Sequence, residues 1–136
     1  MAEITKGMTQ FLSEPNLATV ATIRKDGTPH LTYLWFLQEG NDILMTTAKG
    51  RVKTKNLQRD SRASIAVLDS KSTQRFFIAE GKIEISDDKD CSFYGRIGTR
   101  YIGAERGKAN AEAARQRGEE RVILRLKLHR LWSRGA

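Results

Sequence analysis

The stretch Leu17-Ala18-Thr19-Val20-Ala21-Thr22-Ile23-Arg24-Lys25-Asp26-Gly27-Thr28-Pro29-His30-Leu31-Thr32-Tyr33-Leu34-Trp35-Phe36-Leu37-Gln38-Glu39-Gly40-Asn41-Asp42-Ile43-Leu44-Met45-Thr46-Thr47 decides the fold class. Leu17 to Arg24 is rich in alanine and β-branched residues, and Lys25-Asp26-Gly27 is a turn sequence. Thr28 to Gln38 resumes as a second strand, Glu39-Gly40-Asn41-Asp42 turns the chain again, and Ile43 to Thr47 makes a third. Strands joined by turns this short must run antiparallel, because a parallel crossover needs a dozen residues or more. The spacing predicts a meander.

Working outward, Ile4, Met8, Phe11 and Leu12 recur at helical spacing before Ser13-Glu14-Pro15-Asn16 stops them, which predicts a short N-terminal helix. Gly50 to Arg59 is again helical, with Val52, Asn56 and Leu57 set against Arg51, Lys53, Lys55 and Gln58. Ala63 to Leu68 and Phe76 to Ile85 read as two more strands, the second carrying Gly81 where a bulge lets the sheet curve. Asp87 to Arg100 and Gly107 to Arg117 read as helices. Glu120 to Trp132 is a long final strand alternating Val122, Leu124, Leu126 and Leu128. Six strands with a helix between the third and fourth point to a small closed or split antiparallel barrel, mainly β with flanking helices.

The chain has 136 residues, enough for one hydrophobic core, so residues 1–136 are expected to form a single domain. With 39% hydrophobic and 29% charged residues it has ordinary globular usage. It has no apolar run long enough for a transmembrane helix, and Met1 to Gly7 lacks the apolar stretch of a signal peptide, so a cytoplasmic protein is expected. One cysteine, Cys91, excludes an internal disulfide, and with only His30 and His129 besides, no metal centre is expected. The net charge is +8, from 24 Lys and Arg against 16 Asp and Glu, which favours anionic partners. Nucleic acid is set aside, since no recognition-helix pattern, aromatic-basic ladder or ribonucleoprotein signature is present.

Chemistry concentrates in Thr46-Thr47-Ala48-Lys49-Gly50-Arg51-Val52-Lys53-Thr54-Lys55-Asn56-Leu57. A strand end with two hydroxyls runs through a glycine turn into a helix N-terminus, where free N–H groups and the dipole favour an anion. Arg51 and Lys53 would add charge-assisted hydrogen bonds to a phosphate. A solvated basic helix face would have the same composition, and spacing alone leaves the two readings open.

Leu17-Ala18-Thr19-Val20-Ala21-Thr22, then Asp26-Gly27-Thr28-Pro29-His30, then Arg51, Lys53, Asn56, Leu57, Arg59-Asp60 and Ala63-Ser64-Ile65-Ala66-Val67 resemble the pyridoxamine 5'-phosphate oxidase-like, FMN-binding split-barrel family. Within it the chain is most similar to the branch that uses the deazaflavin coenzyme F420. That resemblance implies a six-stranded antiparallel split β-barrel and a homodimer with two cofactor sites at the subunit interface. It also implies a small-molecule substrate, taken with F420 or, alternatively, FMN. It places the phosphate at Arg51 and Lys53, with Thr46, Thr47 and Asn56 beside the phosphate or ribityl chain and Lys49 as a further contact. The implied activity is hydride transfer between F420 and a small conjugated organic substrate. An FMN-dependent oxidase or reductase, or a non-catalytic flavin- or deazaflavin-binding protein, are the alternatives. No side chain is assigned as catalytic, because the cofactor carries the hydride. The tail of F420 bears carboxylates beyond the phosphate, for which Lys49, Lys55 and Arg59 are candidates.

Other residues read two ways. His30 could protonate a substrate or be an exposed or satisfied structural histidine. Tyr33, Trp35, Phe36 and Trp132 could line a ring pocket or belong to core or interface. Cys91 lacks a partner base and is not read as a nucleophile.

Overall fold

In the turn that opens the meander, Gly27 takes φ 89°, and the Asp26 carboxylate accepts from the Thr28 N–H at 3.0 Å and its hydroxyl at 2.6 Å. These bonds hold the Asp26 carboxyl below its usual range. A computed structural model describes residues 2–136. Its elements are α1 (Lys6–Leu12), β1 (Ala18–Ile23), β2 (Pro29–Leu34), β3 (Phe36–Glu39), β4 (Asp42–Ala48), α2 (Val52–Arg59), β5 (Arg62–Leu68), β6 (Phe76–Asp87), α3 (Ser92–Ile102), α4 (Ala104–Gln116) and β7 (Arg121–Arg134).

The chain is mainly β, but the described residues form seven strands rather than six. The expected strand Thr28–Gln38 breaks at Trp35 into β2 and β3, and the ladder runs β2-β1-β5-β6-β7-β4-β3. All pairs are antiparallel. The two halves of the expected strand therefore sit at opposite edges, and the hydrogen-bonded ladder is not closed into a barrel. Since only Trp35 separates Leu34 from Phe36, the edges approach within about 7 Å there. The sheet curls until its edges meet at one corner.

That corner is braced by α3. Trp35 stacks on Tyr101 with centroids 5.1 Å apart and planes 8° from parallel. The Tyr101 hydroxyl accepts from the Phe36 N–H at 3.1 Å and donates to the Asn16 carbonyl at 2.7 Å. Burial raises the phenol's pKa, which keeps that donor protonated. Arg100 donates to the carbonyls of Leu12, Ser13 and Glu14, capping the C-terminal end of α1 with a cation.

Inside the curl lie Val20, Phe36, Met45, Ile65, Phe77 and Leu124, closed off by Phe11 and Leu12 of α1 and Leu57 of α2. The opposite face of β3, β4 and β7 presents Leu37, Leu44 and Ile123 to Phe93 and Ile97 of α3. α3 packs closely on α4 at Gly107, where a Cβ would lie 2.5 Å from the Thr99 nitrogen. The expected helix from Asp87 begins instead at Ser92, because Asp87 still pairs with Val122 and the buried Asp88 accepts from the Phe93 and Tyr94 N–H groups. Cys91 is buried at φ 59°, and burial pushes its thiol pKa up.

The expected bulge is present: the β6–β7 register shifts between Glu80 and Gly81. A Cβ on Gly81 would fall 2.0 Å from the Lys127 carbonyl oxygen. The outward face of five strands aligns Tyr33, Thr19, Ala66, Ile78 and Trp132 in one row and Leu31, Ala21, Ser64, Glu80 and Arg130 in the next. On it Tyr33 is 72% exposed, Leu31 64% and Trp132 46%. Among the described residues no helix is long and apolar enough to cross a membrane, and no three His, Cys, Asp or Glu side chains are grouped to hold a metal.

Candidate anion-binding site

Where β4 ends, the Thr54 hydroxyl at the start of α2 donates back to the Ala48 carbonyl at 2.8 Å, tying the helix to the strand. Arg51 is the N-cap residue, with extended backbone and no side-chain capping bond, and the first turn has no acidic residue. The N–H groups and dipole of this helix end are thus left without an anionic partner from the chain.

Lys53 points into the fold and is 9% exposed. It makes no hydrogen bond and no ion pair among the described residues. Burial, then the positive charges of Arg51 and Arg121, hold its ammonium pKa below the ordinary lysine value.

Arg121, which the sequence reading did not single out, stands close to Lys53. The β4–β7 register sets it opposite Ala48, on the strand face shared with Thr46, whose hydroxyl it reaches at 2.9 Å. Its side chain is 9% exposed. The guanidinium lies 3.9 Å from the centroid of the Tyr94 ring, which fixes its plane. Its carboxylate partner, Glu119 at 3.2 Å, is shared with Arg117, and its Nε is buried without a partner. The signal available was the alternation of Val122, Leu124 and Leu126 in β7, which turns Arg121 to the other face.

The remaining expected contacts divide. Strand alternation sends Thr46 toward Arg121 and α3, and Thr47 to the interior face with Met45. Asn56 is buried and engaged, donating to the Thr22 hydroxyl at 3.0 Å and accepting from Arg59 at 3.0 Å, so it fastens α2 to β1. Lys49 turns to Glu120 at 3.4 Å. Lys55 and Arg59 lie on the outer edge of α2, beside Arg24 and Lys25. His30 is neither fully exposed nor satisfied: its Nδ1 is buried without a partner, as is the Thr32 hydroxyl two residues on.

Arg51, Lys53 and Arg121 thus form a cationic cluster with one shared carboxylate at its margin. Desolvated like charges repel, and a buried ammonium without a counter-ion is costly. A phosphate supplies the missing charge and acceptors, so the residues present fit that group. The ammonium, a guanidinium fork and the helix N–H groups would hold it.

Comparison with known proteins bears on which ligand such a cluster would hold. The family model described as pyridoxamine 5'-phosphate oxidase matches residues 4–135. The chain belongs to the pyridoxamine 5'-phosphate oxidase family. Among solved structures of like fold, one titled F420 Reductase has TM-score 0.78 and 25% identity, over 95% of this chain and 98% of its own. A conserved hypothetical protein from Mycobacterium tuberculosis has TM-score 0.76 and 28% identity, over 98% of this chain and 88% of its own. HutZ, the heme storage protein of Vibrio cholerae, has TM-score 0.72 and 15% identity over 98% and 96%, a likeness of fold alone. Membership in this family and the basic cluster at the start of α2 agree with a flavin-type ligand.

Proposed function

We propose that the chain is a cytoplasmic oxidoreductase that holds F420 by its phosphate at Arg51, Lys53 and Arg121 and exchanges a hydride with a small conjugated organic substrate. The observation that carries this reading is Lys53, buried beside two arginines with no counter-ion among the described residues. Similarity to an F420 Reductase at 25% identity favours the deazaflavin over FMN. When bound, the deazaflavin supplies the hydride chemistry. The chain's own residues bind and orient: Lys53 and Arg121 neutralise the phosphate, Arg51 closes over it from the N-cap, and Tyr94 keeps the Arg121 fork in plane.

The working unit we infer is a homodimer joined through the outward face of β2-β1-β5-β6-β7. Its exposed Leu31, Tyr33 and Trp132 bracket smaller residues, an exposed apolar cluster suited to a second copy. Beside the bulge at the end of this face is a hollow of about 750 Å³ lined in part by Ala21, Ile23, Pro29, Gly81 and His129. A partner would enclose it, giving apolar surroundings for a flat ring.

FMN also presents a phosphate, so the cluster serves either cofactor, and titration of both against wild type, Arg51→Ala and Lys53→Ala separates them. Each substitution is expected to weaken the true cofactor by roughly 10- to 150-fold, since a hydrogen bond to a charged group contributes about 1.5 to 3 kcal/mol. Binding unchanged in both variants sinks the phosphate site. Response of FMN alone transfers the reading to an FMN-dependent oxidase or reductase. Tight binding without oxidation of reduced cofactor by quinones or enones makes the chain a carrier.

A further inference from the structure

The bulge between β6 and β7 does more than curve the sheet. Glu80 pairs with Arg130 and Gly81 with Leu128, so His129 is the extra residue, without a partner across the ladder. Leu128 and Leu131 both pack against the core, and the two residues between them, His129 and Arg130, are both exposed. Unbroken alternation would have turned one of that pair inward. A bulge re-aims side chains in this way. It depends here on Gly81, whose missing Cβ makes room for the Lys127 carbonyl.

His129 lines the hollow of about 750 Å³ assigned above to the ring. Thr22, also on its wall, accepts from Asn56 of α2 at 3.0 Å, so the hollow adjoins the helix that carries the anion site. The titratable side chains around it are Arg62 from β5, Glu80 and Lys82 from β6, and Lys127 and His129 from β7; β1 and Pro29 bring none. Arg62 is held by Asp60, Lys127 by Asp42 and Glu80 by Arg130. Lys82 and His129 have no ion-pair partner among the described residues. Of these two side-chain types, imidazole is the one that gives up and regains a proton readily near neutral pH. The second histidine, His30, lies on the interior face of β2 with Thr32, away from the hollow's lining.

We propose that His129 is the catalytic acid of the reduction, protonating the substrate carbon next to its carbonyl. The inference rests on the hydride-transfer reading above and deepens it by assigning the proton. When a hydride reaches the carbon β to the carbonyl of a conjugated enone, the double-bond pair shifts and an enolate forms. The His129 imidazolium releases its N–H proton to the α-carbon, the new C–H bond completes the saturated ketone, and water returns a proton to the neutral imidazole. Hydride and proton together are the two hydrogens the substrate gains.

Single-turnover reduction of cyclohexenone by the protein with reduced F420 bound is expected to slow at least about 100-fold in His129→Gln. Affinity for oxidised F420 is expected to change less than about twofold. In wild type the rate falls as rising pH takes the imidazole's proton, and in His129→Gln it is expected to be flat over the same range. A second readout needs no turnover. p-Nitrophenolate, a planar conjugated anion like the enolate, is expected to bind the complex with oxidised F420 at least about tenfold more weakly in the variant. The proposal is overturned if the variant reduces the enone at the wild-type rate, if the pH dependence persists in it, or if that dependence disappears in His30→Gln instead. Equal binding of p-nitrophenolate by both proteins overturns it too. Failure of the phosphate reading looks different: F420 affinity would not respond to Lys53→Ala, and the assignment of His129 would fall with it.

Discussion

Lys53, a residue only 9% exposed and set beside two arginines, weakens a ligand-free fold. In the folded protein Lys53 has a pKa below its ordinary value; in the unfolded chain it does not. Between the two values the unfolded chain binds more protons, so this residue makes stability rise with pH through that alkaline window. At neutral pH the strain is present in full. Lys53→Met is therefore expected to stabilise the ligand-free protein by about 1 kcal/mol, a few degrees in Tm by calorimetry, while abolishing phosphate-dependent binding. A second consequence follows for wild type. An anion raises the depressed pKa, so cofactor binding takes up protons in the alkaline range and affinity falls as pH climbs through the ligand-free pKa. Calorimetry in buffers of different ionisation enthalpy reads that uptake, and its persistence in Lys53→Met would assign it elsewhere. The setting of Arg51 and Lys53, a strand, a glycine turn and a helix start, was legible in the sequence because it is local. Arg121 was not, because it is 75 residues from its partner Thr46 and only the β4–β7 register joins them.

At the scale of elements, the hairpins were legible from turn chemistry and the break at Trp35 was not. From Tyr33 to Leu37 every residue is apolar, so the alternation that would reveal a change of face carries no phase. In the structure Phe36 and Leu37 are both buried, on opposite faces of β3, because α3 covers the second face. The bulge was legible, since a glycine inside a long strand marks close backbone approach. Gly81→Ala would push a methyl into the Lys127 carbonyl and is expected to cost roughly 3 kcal/mol or more, read by denaturant unfolding. Tyr101→Phe keeps the stack on Trp35 but leaves the Phe36 N–H and the Asn16 carbonyl without their partner. A loss of about 1 to 3 kcal/mol is expected, and an unchanged midpoint would show that the corner is held by stacking alone.

For the whole molecule, the proposed dimer places Tyr33 and Trp132 at the ends of one five-strand row. Tyr33→Glu with Trp132→Glu would face unpaired charges across that contact, and sedimentation is expected to show a folded monomer with weakened cofactor binding. Retained dimers would move the interface to another surface. The position of β7 has a consequence of its own. It alone bonds to both β6 and β4, and so joins the sheet half begun by β1 to the short hairpin of β3 and β4. That hairpin is made locally, yet it reaches the rest of the ladder only by pairing with residues some 75 positions onward. Closing so long an intervening segment is slow relative to forming any turn here. Assembly should accordingly wait on this one docking event, with amides of β4 gaining protection from hydrogen exchange together with those of β7 and after those of β1 and β5.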